Sequence, residues 1–310
     1  MSESRRGILP YLALVGLALL WGVSFYLIKI VIRDLSPTVL LLLRSASGCV
    51  TLAIIVSLMG RPLLGPGWRA RVPSFAIMAV TNAVIPWIAI AWGEEHISSG
   101  LASILNSTTT VWTAVLIYWI VPSERPTVVN YVGVLLGFAG VVILVFPDLA
   151  RHGVSGSFLG AVAVVVASLS YAVSAMYQRR KLREVSIFEI SLGQITATVL
   201  LAVPIAAPSV PQVHLALPSI AAAIALGAGG TGIGYLLYFY VMNSLGAVRA
   251  SGVTLLVPVT AVFWGVALLH ESLSLGIVAG MAVILAGILL INFRRSSRTE
   301  RAAEADPAAA

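Results

Sequence analysis

Ten apolar runs, each close to the length that crosses a bilayer as a helix, follow one another along this chain with only short polar connections between them. They fall at about residues 9–32, 38–59, 72–92, 99–121, 128–146, 157–178, 187–206, 218–242, 250–269 and 274–292. A spanning helix takes about 20 mainly apolar residues. In hydrocarbon each backbone N–H and C=O must find a partner within the protein, which makes helices the natural solution for runs of this length. Composition agrees, with 59% apolar and 10% charged residues and a mean hydropathy of +1.00, where a soluble domain carries about 25% charge. The expected fold class is an all-α integral membrane protein of ten transmembrane helices. The first run follows Arg5 and Arg6 as a signal core would, but it is too long and no small-residue cleavage site closes it, so it is expected to remain as a helix. Residues 293–310 are polar without an apolar face and are expected to be a disordered tail.

A net charge of +7 would point to nucleic acid if the basic residues formed one face. They cluster instead in alternate connections. Arg5, Arg6, Arg61, Arg69, Arg71, Arg125, Arg179, Arg180, Lys181, Arg183, Arg249, Arg294, Arg295, Arg298 and Arg301 fall on the side of the N-terminus, fifteen of nineteen, whereas Lys29, Arg33 and Arg151 fall on the other. The excess of Lys and Arg in cytoplasmic loops therefore predicts both termini in the cytoplasm. Soluble-enzyme motifs are missing, with no HExxH, CxxC, GxSxG or GxxxxGK[ST], so metalloprotease, hydrolase and ATP-driven readings are disfavoured. Cys49 is the single cysteine and excludes an internal disulfide. His96, His152, His214 and His270 lack metal-ligand spacing, so neither metal nor cofactor is expected.

The chain also repeats. The segment from Trp21 to Lys29 aligns with that from Tyr171 to Arg179, matching Val23 with Val173 and Ser24 with Ser174, and Glu124, Gly133, Ala139 and Gly140 correspond to Glu271, Gly280, Ala286 and Gly287. Two five-helix halves result, at 9–146 and 157–292. Because five is odd, the second half enters the membrane upside down relative to the first, the inverted-repeat plan of many secondary transporters. Gly133 with Gly137, and Gly276 with Gly280, have GxxxG spacing and are expected to pack scaffold helices closely.

Leu20-Trp21-Gly22-Val23-Ser24-Phe25, Arg44, the stretch Ala102-Ser103-Ile104-Leu105-Asn106-Ser107-Thr108-Thr109 ahead of Glu124-Arg125, and Gly140-Val-Val-Ile-Leu together resemble the EamA-type drug/metabolite transporters. The resemblance covers residues 10 to 292. It implies two inverted repeats, a central cavity open alternately to each side, and export of amino acids or other small metabolites from a bacterial cell, with aromatic amino acid exporters the most similar group. It also implies a monomer or weak homodimer whose partners are its substrate and membrane lipids. One departure is visible: the fourth helix has Thr110 where proline often precedes the aromatic residue, while the ninth keeps Pro258.

Polar residues recurring on one face of a spanning helix face protein or a water-filled cavity, because a lone polar group in lipid is costly. Ser103, Asn106, Thr109, Thr110 and Thr113 do this in the fourth helix, Tyr171, Ser174 and Gln178 in the sixth, and Thr231, Tyr235 and Tyr238 in the eighth. Trp21 and Ser24 form a matching pair in the first helix, with Asn82 in the third. The expected substrate-binding set is Trp21, Ser24, Asn82, Asn106, Thr109, Tyr171, Ser174, Tyr235 and Tyr238. Any single Ser or Thr among these has the alternative of bonding its own helix carbonyls. Pro86, Pro258 and the glycines 227–234 mark kinks in the third, ninth and eighth helices. Arg44, inside the second helix, is read as a gating charge or a partner for a substrate carboxylate, with snorkelling or a carbonyl bond as its alternative. Glu124 and Glu271 occupy equivalent loops and are read as cap or hinge residues. No acidic residue falls near the middle of any run, which favours a neutral or zwitterionic solute. A multidrug or organic-cation exporter is the alternative within this class, and a membrane-embedded transferase the alternative outside it. In a Cys49-free background, single cysteines at Ser155 and Ser209 are expected to react with an impermeant thiol reagent from the periplasm and one at Ser296 is not. The reverse pattern of labelling in intact cells would invert the topology.

Overall fold

A computed structural model describes residues 3–120, 127–212, 216–250 and 252–305. Every regular element among them is helical. The spans are α1 (Glu3–Val31), α2 (Pro37–Leu58), α3 (Trp68–His96), α4 (Ser99–Ile117), α5 (Val128–His152), α6 (Gly156–Lys181), α7 (Ile187–Ala206), α8 (Leu217–Leu245), α9 (Val253–Leu269) and α10 (Leu275–Ala305). Nine of these are long and apolar enough to cross a membrane, and α9, at 17 residues, is the shorter tenth. Two differences from expectation stand out. The third span continues beyond residue 92 to His96, carrying Glu94 with it. The last helix runs on to Ala305, where disorder is expected from polarity; its Ala, Glu and Arg residues are strong helix formers even without an apolar face.

Helix pairing follows the internal repeat. Three pairs, α2–α7, α4–α9 and α5–α10, join a helix to its own counterpart in the other half. The other principal contacts come as twins: α1–α9 with α6–α4, α3–α6 with α8–α1, and α2–α8 with α7–α3. A two-fold relation in the membrane plane produces this pattern, so the ten helices form two inverted repeats. We refer to the face where α1 begins as the N-terminal face and to its opposite as the far face.

The seams are made by small residues. On α5, Gly133, Gly137 and Gly140 are buried; a Cβ at Gly133 would lie 2.8 Å from the Gly287 carbonyl oxygen, and one at Gly287 would lie 2.6 Å from that of Gly133. Gly276 is exposed and has only a Ser274 side chain near it, so Gly280 and Gly287 form the α10 side of the seam. In lipid the helices gain little from apolar burial against one another, and close packing between backbones supplies the association.

Three helices are irregular at mid-depth. In α3 a π-turn covers Val80–Val84, and Ile85 donates its N–H to Val80. Pro86 explains it: proline has no N–H for the Asn82 carbonyl and its ring crowds that turn, so the chain widens by one residue just before it. In α8 a second π-turn spans Leu226–Ile233, through the glycines. In α4 the regular helix stops at Asn106 and resumes at Thr109. Ser107, Thr108 and Thr109 each turn their hydroxyl onto the carbonyl three residues back, at 2.6, 2.6 and 2.8 Å. Consecutive back-bonds of this kind compete with the helix ladder and open it.

Gly287→Ala is expected to destabilise the protein by about 1–3 kcal/mol, since its new methyl meets rigid backbone rather than a yielding side chain. Gly16→Ala, with open space around that position, is expected to leave stability unchanged. Thermal loss of the monodisperse peak in detergent separates the two.

Candidate functional site

The π-turn of α3 and the middle of α2, α6, α7 and α8 bring one polar cluster together. Arg44 projects from α2 and lays its guanidinium over the Trp87 ring, 3.9 Å from the centroid. Tyr171 of α6 and Tyr235 of α8 lie near the same guanidinium and pack on the apolar cluster that contains Trp87. Asn82 donates its amide to Gln194 Oε1 at 3.2 Å, and Gln194 donates its own to the Tyr235 hydroxyl at 3.1 Å. Arg44 Nε is buried with no hydrogen-bond partner. The Arg44 backbone is held as tightly as its side chain is free, because a Cβ at Gly227 would lie 2.3 Å from the Arg44 carbonyl oxygen. Glycine at that point of α8 is what allows α2 to approach. Arg44 therefore stacks within the protein instead of reaching along its own helix to a boundary.

The other expected residues fall elsewhere. Trp21 donates its indole N–H to the Gly230 carbonyl at 3.0 Å and lies 5.7 Å from the Tyr238 ring, forming an aromatic corner between α1 and α8. Ser24 is buried in that contact and bonds to the Leu20 carbonyl of its own helix at 3.1 Å. Thr109 likewise bonds back to Asn106. Asn106 keeps its side-chain oxygen buried without a partner, while its main-chain oxygen accepts from Ser168 at 3.3 Å. Ser174 is packed beneath Met78, with its hydroxyl 3.3 Å from the sulfur. Pro86 follows the π-turn and Pro258 is buried inside α9.

At the far face a cleft of about 360 Å³ is lined by Lys29, Arg33, Glu94, Glu95 and Glu271, among others. Lys29 caps two backbone oxygens there, those of Glu94 and of Ile97, the latter at 2.8 Å. Glu271 crosses between halves: its carboxylate accepts from the Ser99 and Gly100 amides at 2.7 and 3.1 Å, at the start of α4. His270 ends α9 in the left-handed conformation with φ +56°, and this turn aims Glu271 back across. A carboxylate on free N–H groups at a helix N-terminus is favourable on both hydrogen-bond and dipole grounds. Its counterpart Glu124 lies outside the described residues. At the N-terminal face Arg71 grips Glu189 through Nε at 2.8 Å, joining α3 to α7.

With fold and site described, similarity to known proteins becomes informative. The EamA-like transporter family matches the chain twice, over residues 8–146 and 158–293. The chain belongs to the EamA-like transporter family. Similar EamA-type relatives include the uncharacterized transporter YoaV of Bacillus subtilis, 24% identical over 93% of this chain and 98% of that one, and the uncharacterized inner membrane transporter YedA of Escherichia coli, 25% identical over 92% of each. A probable terminal-alkyne amino-acid exporter of Streptantibioticus cattleyicolor is 27% identical over 94% of this chain and 95% of its own. A protein crystal structure superposes with a TM-score of 0.61 over 93% of this chain at 19% identity and shares the fold.

Two residues of this EamA protein's central cluster and one at its far-face cleft escape a reading of its sequence. Trp87 follows the kinking proline in an aromatic-poor stretch, Gln194 is a lone amide in the seventh run, and Glu94 belongs to a Gly-Glu-Glu-His segment that looks like a loop. The one available signal is Gln194, since an amide so deep in an apolar run needs a partner. Glu271→Ala, which strips two amides of their acceptor, is expected to cost about 0.5–2 kcal/mol of stability, with Glu271→Gln restoring part of it. Thermal unfolding in detergent measures both.

Proposed function

We propose that this transporter exports neutral amino acids, chiefly aromatic or large apolar ones, across the bacterial inner membrane by alternating access, with its N-terminal face in the cytoplasm. The observation that carries this reading is the guanidinium of Arg44, stacked on Trp87 at mid-depth with one N–H buried and unbonded. Arginine presents a planar fork suited to a carboxylate. The neutral groups beside it, Asn82, Gln194 and Tyr235, suit an amino group, and the rings of Trp87, Tyr171 and Tyr235 suit an apolar side chain. This cluster contains no carboxylate, which disfavours permanent organic cations, although aromatic faces alone hold cations weakly. The probable terminal-alkyne amino-acid exporter of S. cattleyicolor, at 27% identity, supports an amino-acid substrate. Sidedness rests on the basic residues of alternate loops. The π-turns of α3 and α8, related by the repeat and both beside the cluster, supply the points at which the two halves bend; π-turns recur at functional sites for this reason.

Counterflow of labelled phenylalanine in proteoliposomes tests the proposal. Wild type is expected to exchange it saturably. Arg44→Lys, which keeps charge but loses the fork and the stacking plane, is expected to weaken apparent affinity about ten- to a hundredfold, the equivalent of a lost charge-assisted bond. Tyr171→Ala and Asn82→Ala are expected to fold and to transport poorly. A wild-type protein that moves only a quaternary ammonium ion, or alanine variants with wild-type rates, would overturn the assignment.

A further inference from the structure

Glu94 is fully buried, with 0% exposure, and neither oxygen of its carboxyl group has a hydrogen-bond partner. Two other buried or half-buried carboxylates have theirs: Glu189 has Arg71 and Glu271 has two amides. Asp34 is bonded by Ser219, and Asp148 by Ser155 and Ser157. A carboxyl group so placed requires a proton or a cation as its partner, because an isolated carboxylate in an apolar setting is prohibitively costly.

Its surroundings connect it to both faces. The charges that act on it are those of Lys29 from α1, Arg44 from α2 and Glu271 from the loop after α9. Its own helix adds Glu95 and His96, and Gly160 and Val164 of α6 pack on the neighbouring Gly93. The ammonium of Lys29 is bonded to the backbone oxygens of Glu94 and Ile97 rather than to the carboxyl group. Glu94 also lines the far-face cleft, and the contacts that close this face, those of Lys29 and Glu271, meet within six residues of it. Separating them would bring water to the carboxyl group and free Lys29 to pair with it. On the opposite side stands Arg44, the charge of the central cluster.

We propose that Glu94 is the proton-binding site of this transporter and that it exchanges one proton for each substrate molecule. With the far face open, a proton from water binds the carboxylate. Closure buries the neutral acid as Lys29 returns to the two carbonyls. Opening of the centre to the N-terminal face then lets that proton leave to water, and the carboxylate returns accompanied by Lys29 or Arg44. The direction of exchange, proton inward and substrate outward, rests on the export reading above.

Two measurements separate this proposal from that reading. Dicyclohexylcarbodiimide attacks protonated carboxyl groups in apolar surroundings, so the purified full-length protein is expected to be modified at Glu94 near neutral pH. Peptide mass spectrometry should show modification falling as pH rises, at unchanged extent when sodium chloride replaces potassium chloride. No modification of Glu94 at any pH, or protection by sodium at constant pH, would overturn proton binding whatever the substrate is. In proteoliposomes, an imposed gradient of one pH unit is expected to drive up to about tenfold accumulation of labelled phenylalanine, the free-energy equivalent of a one-for-one exchange. Glu94→Gln should retain counterflow and lose this accumulation. Accumulation that persists in Glu94→Gln would refute coupling through this residue. Absence of phenylalanine counterflow in wild type would sink the substrate reading, and the carbodiimide result would still decide the proton site.

Discussion

Close approach between helix backbones is the constraint on which this architecture rests. The Gly133–Gly287 contact locks α5 to α10, Gly93 and Gly160 bring α3 onto α6, and Gly227 lets α8 settle on the Arg44 carbonyl. Each is a place where a single methyl group would collide with main-chain atoms. Lipid offers the helices nearly as good an apolar environment as protein does, so specificity of assembly comes from shape and polar contacts rather than from the hydrophobic effect. The inverted repeat multiplies the benefit: most principal seams have a twin, so one set of small residues fixes the geometry of both halves.

That geometry then decides where polarity is affordable. Hydroxyls are mostly absorbed by their own helices, as Ser24, Thr109 and Thr113 show. Two of the places where polar groups remain are the Arg44–Trp87 stack with its amide chain, and Glu94 beside the far-face cleft. Both include buried atoms without partners. Buried polar atoms in native proteins are overwhelmingly satisfied, so those left over mark the positions where a passing solute, proton or rearranged side chain would be accommodated.

Much of the fold was legible in the sequence because hydropathy and internal repetition are long-range signals that average over many residues. Ten runs, two halves and their opposed orientation come from patterns about 20 and 150 residues long, insensitive to local error. The site was legible only in part. Asn82, Tyr171, Tyr235 and Arg44 are polar or charged within apolar runs and do meet in the cluster, but Ser24 and Ser174 share their periodicity and are packed away, since a helical face does not reveal whether it meets a cavity or a neighbour. Trp87 is apolar enough to pass for core. Glu94 was missed because the third span is longer than its apolar run: the acidic pair breaks the hydropathy pattern before the helix ends at His96. Gly276 shows the converse error, with the right spacing on the wrong side of the helix.

α4 and α9 are counterparts in the two repeats but differ at mid-depth: α4 is interrupted by hydroxyls turned onto carbonyls, whereas α9 runs unbroken from Val253 to Leu269 around Pro258. The backbone donor that Pro258 lacks cannot be restored. The hydroxyl break is a set of exchangeable hydrogen bonds: rotating three side chains returns the carbonyls to the helix ladder. One limb thus has a fixed gap in its ladder and the other a break able to close, so the inverted halves are unequal in their hydrogen bonding. The symmetry of the scaffold does not extend to the hydrogen bonding of these two limbs, and the difference lies in three short side chains.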